Sequence, residues 1–466
     1  MYLINELNEL LNILDLLEFE DEPSIVDEKN ALDLVESALY LMEDYMNENP
    51  TAISEPDFEE NLLDDIKEIF YIQFEEEILN SEYVEDDINE LLEYAFSIFI
   101  TTFYPERSLN TEEITVIQSE TDTMDLFEKY NRNKIIQDKI EHIKNKPQPE
   151  QRTEEWYSFR HNLITASNAY KAFESQNTIN QLIYEKCQPL KSKEDEKNKM
   201  VNISTPFHWG QKYEPLSVML YENMYKTKVA DFGCIQHDKY AFLGASPDGI
   251  NVDMNSERYG RMLEIKNIVN REINGIPKKE YWIQMQMQME VCDLSECDFL
   301  ETKFLEYENA NAFFNKLKEE EENDDKKNVL DNKGLILYFH NSKEAKPFYV
   351  YKPLNIVKNN DILKWEEETI ELYQTPEHNL LYIQTIYWKL EKLSCVLVLR
   401  NENWFKNNIQ SLQNVWNIIE KERITGYEHR APNKKPKNNK ETLNTIGNYF
   451  TSTANNGCLI KIDKLL

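Results

Sequence analysis

Asp248, Glu264 and Lys266 are the residues whose types and spacing best suit chemistry. Asp248 lies in "GASPDGI", in a turn made by Pro247 and Gly249. Downstream comes "RMLEIKNI". In a strand Glu264 and Lys266 are two apart, so both point to one face. An acid and a lysine sharing one face of an apolar strand are costly to bury without partners. Convergence on a metal ion removes that cost. Asp248 and Glu264 offer oxygen ligands suited to Mg²⁺ or Mn²⁺, and the carbonyl of Ile265 can add a backbone ligand. Lys266 can then position, or help deprotonate, an attacking water. The expected chemistry is metal-assisted phosphodiester hydrolysis. E-x-K alone is common and carries no weight; the SPDG turn upstream gives it weight.

Three neighbouring segments hold further candidates. "EYWIQMQMQMEV" is expected to be a helix with Tyr281, Gln284 and Gln288 along one face and Gln286 pointing elsewhere. A glutamine facing the strand can hold the lysine, the water or a phosphate oxygen; read alone, a solvated Gln stripe is equally good. "PFHWGQKYEPLSVMLYE" is expected to be a helix carrying Glu214. On its own Glu214 is an ordinary surface glutamate; beside a metal site it is the natural additional acid. "RTEEWYSFRHNLITASNAYKAF" holds Arg160 and Ser167, with Ser167 expected as the N-cap of a following helix. A helix N-terminus and an arginine seven residues earlier would make a pocket for a terminal 5′ phosphate. Trp156 is expected in the core rather than as a base-stacking platform.

These residues must be placed by an α/β framework. From 151 to about 310, helices alternate with short strands. "KPQPE" at 146–150 breaks a preceding basic helix and marks a domain boundary. Residues 1–146 are expected to be a helical N-terminal region, with stripes at Leu3, Leu7, Leu10, Leu14 and Leu17 and at Leu32, Val35, Leu39, Met42 and Met46, a loop over 105–120, and a basic helix over 121–146. The catalytic core is expected over 150–355. It closes with a charged loop at 318–333 and a strand pair, "GLILYFHN" with "PFYVYKPL". Residues 356–426 are expected as a Trp- and Tyr-rich helical extension, and 427–466 as a basic, Asn-rich, flexible tail.

The formal net charge of −34 is unusual for a chain expected to handle nucleic acid. Residues 1–100 hold 30 acids and two bases, whereas the other 366 residues are close to balanced. The acidity is therefore regional, and a local basic groove remains compatible with it. A plain helical layer is the expected role of the acidic region, dispensable for chemistry; autoinhibition through phosphate mimicry stays open. The six cysteines form no C-x-x-C pair, which argues against a zinc ribbon or a four-cysteine iron–sulfur cluster. No apolar run reaches the length needed to span a bilayer, so a soluble intracellular protein without a membrane partner is expected.

The ordered set "W…R…ITAS", "WGQKYE", "GASPDG", "LEIK" and "Y..Q.Q.QM" resembles the YqaJ-type viral recombinase family, the lambda-exonuclease branch of the PD-(D/E)xK nucleases. The resemblance covers roughly residues 150–310. It implies a restriction-endonuclease-like α/β core, a mixed central sheet flanked by helices. It implies an exonuclease that digests one strand of duplex DNA 5′→3′ from its ends, leaving a 3′ overhang for recombination. Asp248 and Glu264 would be ligands of two metal ions, Lys266 the catalytic lysine, Glu214 the upstream acid, Gln284 the first Gln of the Y-x-x-Q-x-Q motif, and Arg160 with Ser167 the 5′-phosphate contacts. Tyr281, Gln286 and Gln288 would lend support. A single-strand annealing protein is the implied partner. The long additions and the Asn/Ile/Lys-rich usage suggest a large eukaryotic DNA virus. An endonuclease or RNA-degrading nuclease on the same fold is the alternative, and an inactive DNA-end-binding scaffold is an alternative of another class.

In the tail, Ile446, Tyr449 and Phe450 follow Lys434, Lys435, Lys437 and Lys440 at i, i+3, i+4 spacing. This resembles a sliding-clamp-interacting box, departing where Leu443 replaces the expected Gln. The competing reading is that the aromatic pair folds back onto the domain.

Overall fold

The computed structural model describes residues 28–432 apart from 81, 103–106, 111–125, 152, 191–201, 323–332, 342, 344–345 and 376. The first leucine stripe and the clamp-like box lie outside the described residues.

The acidic stretch folds as helices α1 (Glu28–Glu48), α2 (Phe58–Gln73), α3 (Glu75–Asn80) and α4 (Glu82–Thr102). Of the expected stripe, Val35, Met42 and Met46 are buried with Leu62, Ile66, Ile88 and Leu92, but Leu39 is half-buried and Leu32 exposed, because Ala31 and Ala38 take the inner positions instead. Strand β1 (Leu109–Asn110) and helix α5 (Leu126–Asn145) follow, then α6 (Glu154–His161), β2 (Ile164–Thr165), α7 (Ala166–Ala169) and α8 (Gln176–Cys187). Helix α9 (Pro206–Tyr225) starts where Thr205 Oγ1 accepts a bond from His208 N and Pro206 occupies the first turn.

The central sheet is mixed. Its strands are β3 (Val229–Ala230), β6 (Gly249–Asn251), β7 (Met262–Asn267), β8 (Glu296–Glu306), β9 (Lys333–Asn341), β10 (Lys346–Tyr351) and β11 (Leu380–Leu399), in the order β10-β9-β11-β8-β7-β6-β3, with β1 beside β11. A second, three-stranded sheet runs β2-β5-β4, with β4 at Ile235–Gln236 and β5 at Leu243–Ala245. Only β7 and β8 are parallel among the pairs of the larger sheet in the described residues. A parallel pair needs a crossover connection, and helix α10 (Lys279–Cys292) supplies it. The strand–helix–strand unit β7–α10–β8 thus lays the glutamine helix across the strand that carries Glu264 and Lys266. The mixed sheet flanked by helices agrees with the expected fold class.

One expectation is corrected. Residues 356–426 are not a helical extension. Helix α12 (Asn359–Tyr373) and helix α13 (Glu402–Thr425) flank β11, whose 20 residues pair with both β8 and β9. "LLYIQTIYWKLEKLSCVLVL" is rich in β-branched and aromatic residues, which favour a pleated, half-buried surface. Its register shifts at Tyr382/Gln384 and Leu390/Lys392 break the strict alternation that would have marked it as a strand. The core sheet therefore extends to Leu399. Within the expected loop at 105–120, Leu109 and Asn110 pair with Leu397 and Val396.

Candidate active site

Alternation along β7 divides the chemistry from the packing. Leu263 and Ile265 lie on the face covered by α9, where they are buried with Tyr221, Leu300 and Cys395. Glu264 and Lys266 lie on the other face, under α10. Glu264 is fully buried, whereas the Lys266 side chain keeps 22% exposure. The Lys266 ammonium donates to Glu264 Oε1 and sits 4.7 Å over the Tyr281 ring. Gln284 Nε2 donates to the same Oε1 at 2.8 Å, and Gln288 Nε2 donates to Oε2 at 2.7 Å. Gln286 points away, with its amide joining Leu399 O and Asn401 N. The helical face expected from the sequence is the observed one.

Asp248 precedes β6 and reaches β7 from the side: its Oδ2 accepts from Ile265 N at 2.7 Å. Gly249 is required next to it, because a Cβ there would collide with Val229 Cγ1. Burial pushes the Asp248 carboxyl well above the usual carboxylate range, and repulsion from Glu264 and Glu214 adds to it; Lys266 and the Ile265 amide pull the other way. Burial alone would lower the Lys266 ammonium, but Glu264 and Asp248 outweigh it and hold its pKa above the ordinary lysine value. The site therefore gathers more acids than its single lysine can balance, and Asp248 is the one pushed toward its neutral form. Glu214, on α9, is exposed and within electrostatic reach of Asp248 and Tyr351.

Among the described residues no trio of His, Cys, Asp or Glu forms a ready-made metal cage. The donors that are present still fit a hard divalent cation: two carboxylates at one point, mutually repulsive, with a third acid nearby.

The candidate end-binding residues are placed differently from expectation. Ser167 is not an N-cap. Thr165 holds that position without a side-chain cap bond, and Ser167 is the second residue of the four-residue α7. It is exposed, with its Oγ 3.3 Å from Thr165 Oγ1. Asn168 and Ala169 continue the helix for one turn only, which leaves Thr165, the last residue of β2, as the entry residue. Arg160 is at the C-terminal end of α6. Its Nη1 donates to Ser246 Oγ at 3.0 Å and its guanidinium lies 4.6 Å from the centre of the half-buried Trp156 ring. Trp156 is thus a support for Arg160 rather than a fully buried core residue.

Ser246 links the two halves of the site, and sequence reasoning missed it. It holds Arg160 through its hydroxyl, its carbonyl lies 3.4 Å from Gln288 Nε2, and it stands two residues before Asp248 in the same SPDG turn. Glu301 was missed too. It pairs with Lys266 in the β7–β8 register and is fully buried, with Arg271 donating to Oε1 while Oε2 has no hydrogen-bond partner among the described residues. The parallel register that sets it beside Lys266 is not legible from local sequence.

Buried Glu264, half-buried Asp248, one lysine and two amide donors gather around the strand–helix–strand unit β7–α10–β8, a donor set that fits a divalent cation. Residues 155–295 match the model of the YqaJ-like viral recombinase domain. An uncharacterized protein of Acanthamoeba polyphaga mimivirus is 31% identical over 314 residues, 60% of this chain and 54% of that protein, so the chain spans about half the length of this curated relative. Among solved structures, two crystal structures of the alkaline exonuclease LHK-Exo from Laribacter hongkongensis are similar over 59% of this chain and 95% of theirs. The complex with dAMP has 18% identity and a TM-score of 0.30; the other has 17% and 0.31.

Proposed function

We propose that this chain is a metal-dependent nuclease that digests one strand of duplex DNA 5′→3′ from its ends, leaving 3′ single-stranded overhangs for viral recombination or replication. The observation that carries the reading is the convergence of Asp248, Glu264 and Lys266 under the Gln284 and Gln288 amides, within the stretch that matches a recombinase domain. Mg²⁺ or Mn²⁺, two ions at full loading, would be held by Asp248, Glu264 and the Ile265 carbonyl, with Glu214 as the additional acid. When bound, the metal supplies Lewis acidity toward the phosphate being cut.

The chain's own residues do the rest. Lys266, kept charged by its acids, orients the attacking water through its ammonium. The two glutamine amides fix the Glu264 carboxylate so that it does not swing when substrate arrives. Arg160, which has no carboxylate partner among the described residues, offers its guanidinium to a terminal 5′ phosphate, with the exposed Ser167 hydroxyl as the second contact. The overhang so produced is what a single-strand annealing protein binds, which makes such a protein the natural partner; a sliding clamp held through Ile446, Tyr449 and Phe450 is a second.

The test is digestion of duplexes labelled at either end, with and without a 5′ phosphate, in Mg²⁺ or EDTA. Metal-dependent loss of label from the phosphorylated 5′ end is expected. Internal fragments, or loss from the 3′ end first, would overturn the polarity and the exonuclease assignment.

A further inference from the structure

Two helices end side by side behind Arg160. Helix α6 ends at His161 and helix α8 at Cys187, and helix C-termini leave carbonyls without intrahelical partners. One side chain from outside the recombinase-like stretch serves both. Arg423, near the end of α13, donates from Nη2 to His161 O at 2.8 Å, and from Nε and Nη2 to Lys186 O at 3.0 and 2.9 Å. Its Nη1 donates to Asn162 Oδ1 at 3.0 Å, and its Nη2 lies 3.2 Å from His161 Nδ1. Lys186, itself buried, completes the arrangement by donating from Nζ to Arg160 O at 2.8 Å. Helix α13 is fixed against α8 a little further on: Arg430 grips Glu422 with two 2.6 Å bonds and also donates to Asn180.

We propose that Arg423 is a positioning residue for end recognition: it locks the turn after α6, so that Arg160 is presented to a 5′ phosphate in one fixed orientation. This rests on the end-binding reading above. Cations at helix C-termini are favourable in themselves, and a guanidinium reaches several acceptors in one plane where an ammonium cannot. Four of the five Arg423 N–H donors go to two backbone carbonyls and Asn162 Oδ1, which assigns it to holding the turn rather than to gripping substrate. It acts through the backbone on which Arg160 stands. The helix that follows β11 thereby becomes part of the end-binding apparatus rather than an appendage.

The experiment compares single-turnover release of the first nucleotide from duplexes with 5′-phosphate and 5′-hydroxyl ends, using the full chain with Mg²⁺. The variants are Arg423→Gln, Arg423→Lys, Asn162→Ala, Arg160→Ala and the Arg160→Ala/Arg423→Gln double variant. The expected result is a loss of about tenfold in the phosphate preference for Arg423→Gln, seen as weaker binding of the phosphorylated end with the saturated rate held within about threefold. Arg423→Lys, which keeps a cation and a shorter reach, should recover part of the preference. In the Arg160→Ala background Arg423→Gln should change nothing further, since two residues acting through one contact are not additive. A preference within about twofold of wild type in Arg423→Gln, or full additivity in the double variant, overturns the proposal. Should Arg423→Gln fail to fold, Arg423→Lys and Asn162→Ala carry the same comparison, and an unchanged preference in both overturns it. If Arg160→Ala itself leaves the preference intact, the end-binding reading fails, and that outcome is distinct from failure of the latch alone.

Discussion

At the residue scale, Glu264 is the point on which most depends. Three donors converge on its two oxygens, and it is the only carboxylate in the site gripped by Lys266 and by α10 together. Asp248→Ala, Glu264→Ala and Lys266→Ala are each expected to abolish cleavage while leaving a folded chain, because each removes a group needed for the chemistry. Near-wild-type activity in any one of them, with metal present, would falsify that assignment. Gln288→Leu is subtler. It strips the donor from Glu264 Oε2 at a fully buried position, which should cost about 1–3 kcal/mol of stability. It should also lower kcat by about 10–100-fold through a loosened ligand. Melting curves together with kcat decide between the two effects: a stability loss with unchanged kcat would leave Gln288 as packing alone. The sequence placed Gln288 on the correct face by helical spacing, but only as one of several supports. Which oxygen it holds follows from the tertiary contact of α10 with β7, and no local pattern encodes that.

Lys186 carries a pH signature. Burial first, then the nearby Arg160 and Arg423 charges, push its pKa down to about 8. Between about pH 8 and the usual lysine value the unfolded chain binds more protons than the folded one, so stability rises with pH across that window. Lys352, lowered to about 8 by burial, acts in the same sense. Lys186→Met should therefore flatten part of the rise in melting temperature between pH 8 and 10. A rise identical to that of the native chain would mean that Lys186 is not strained by its charge.

At the element scale, α1 was legible because one apolar face meets one polar face, and α10 because its glutamines recur at helical spacing although it is buried on nearly every side. Strand β11 was not, because two register shifts interrupt its alternation and its aromatic residues suit either kind of element. The role of the N-terminal layer was not legible either. Its acidic outer face reads as a detachable surface, yet the layer braces the start of the glutamine helix. Lys279 bridges Glu55 at 2.6 Å and Glu174 at 3.1 Å. Buried Arg107 donates to Ser54 O and Pro277 O, and Trp282 Nε1 donates to Arg107 O at 3.1 Å. Asn408, on α13, donates to Pro50 O at 2.8 Å. These contacts run against the expectation that residues 1–100 are dispensable. Deleting them should lower both thermal stability and kcat, since the end of α10 that carries Tyr281 and Gln284 loses its support. A truncated chain with native melting temperature and native kcat would restore the simpler view of a plain outer layer.

At the scale of the whole molecule, a body of net charge −34 has to approach a polyanion. The basic helix α5 does not offset this as fully as its composition suggests. Arg132 pairs with Glu296, Lys139 with Asp293 and Lys146 with Asp238, which leaves Lys129, Lys134 and Lys144 exposed. Of these six cations, five on α5 and Lys146 just past its end, three are thus paired with acids of the protein. Repulsion from the acidic layer reaches far at low salt, where the Debye length is about 30 Å at 0.01 M, and is screened within about 8 Å at physiological ionic strength. The layer should therefore slow DNA association in dilute salt and matter little near physiological salt. Neutralising five of its exposed acids, as Glu36→Gln, Glu43→Gln, Asp44→Asn, Glu60→Gln and Glu68→Gln together, removes charge without touching the buried stripe or the contacts to α10. Stopped-flow association with a labelled duplex should then show a several-fold faster on-rate at about 0.01 M salt, converging with the native chain as salt rises, while kcat stays constant. An on-rate indifferent to the five substitutions at low salt would mean that DNA approaches from a side the acidic layer does not face, and its charge would then need an explanation other than control of substrate access.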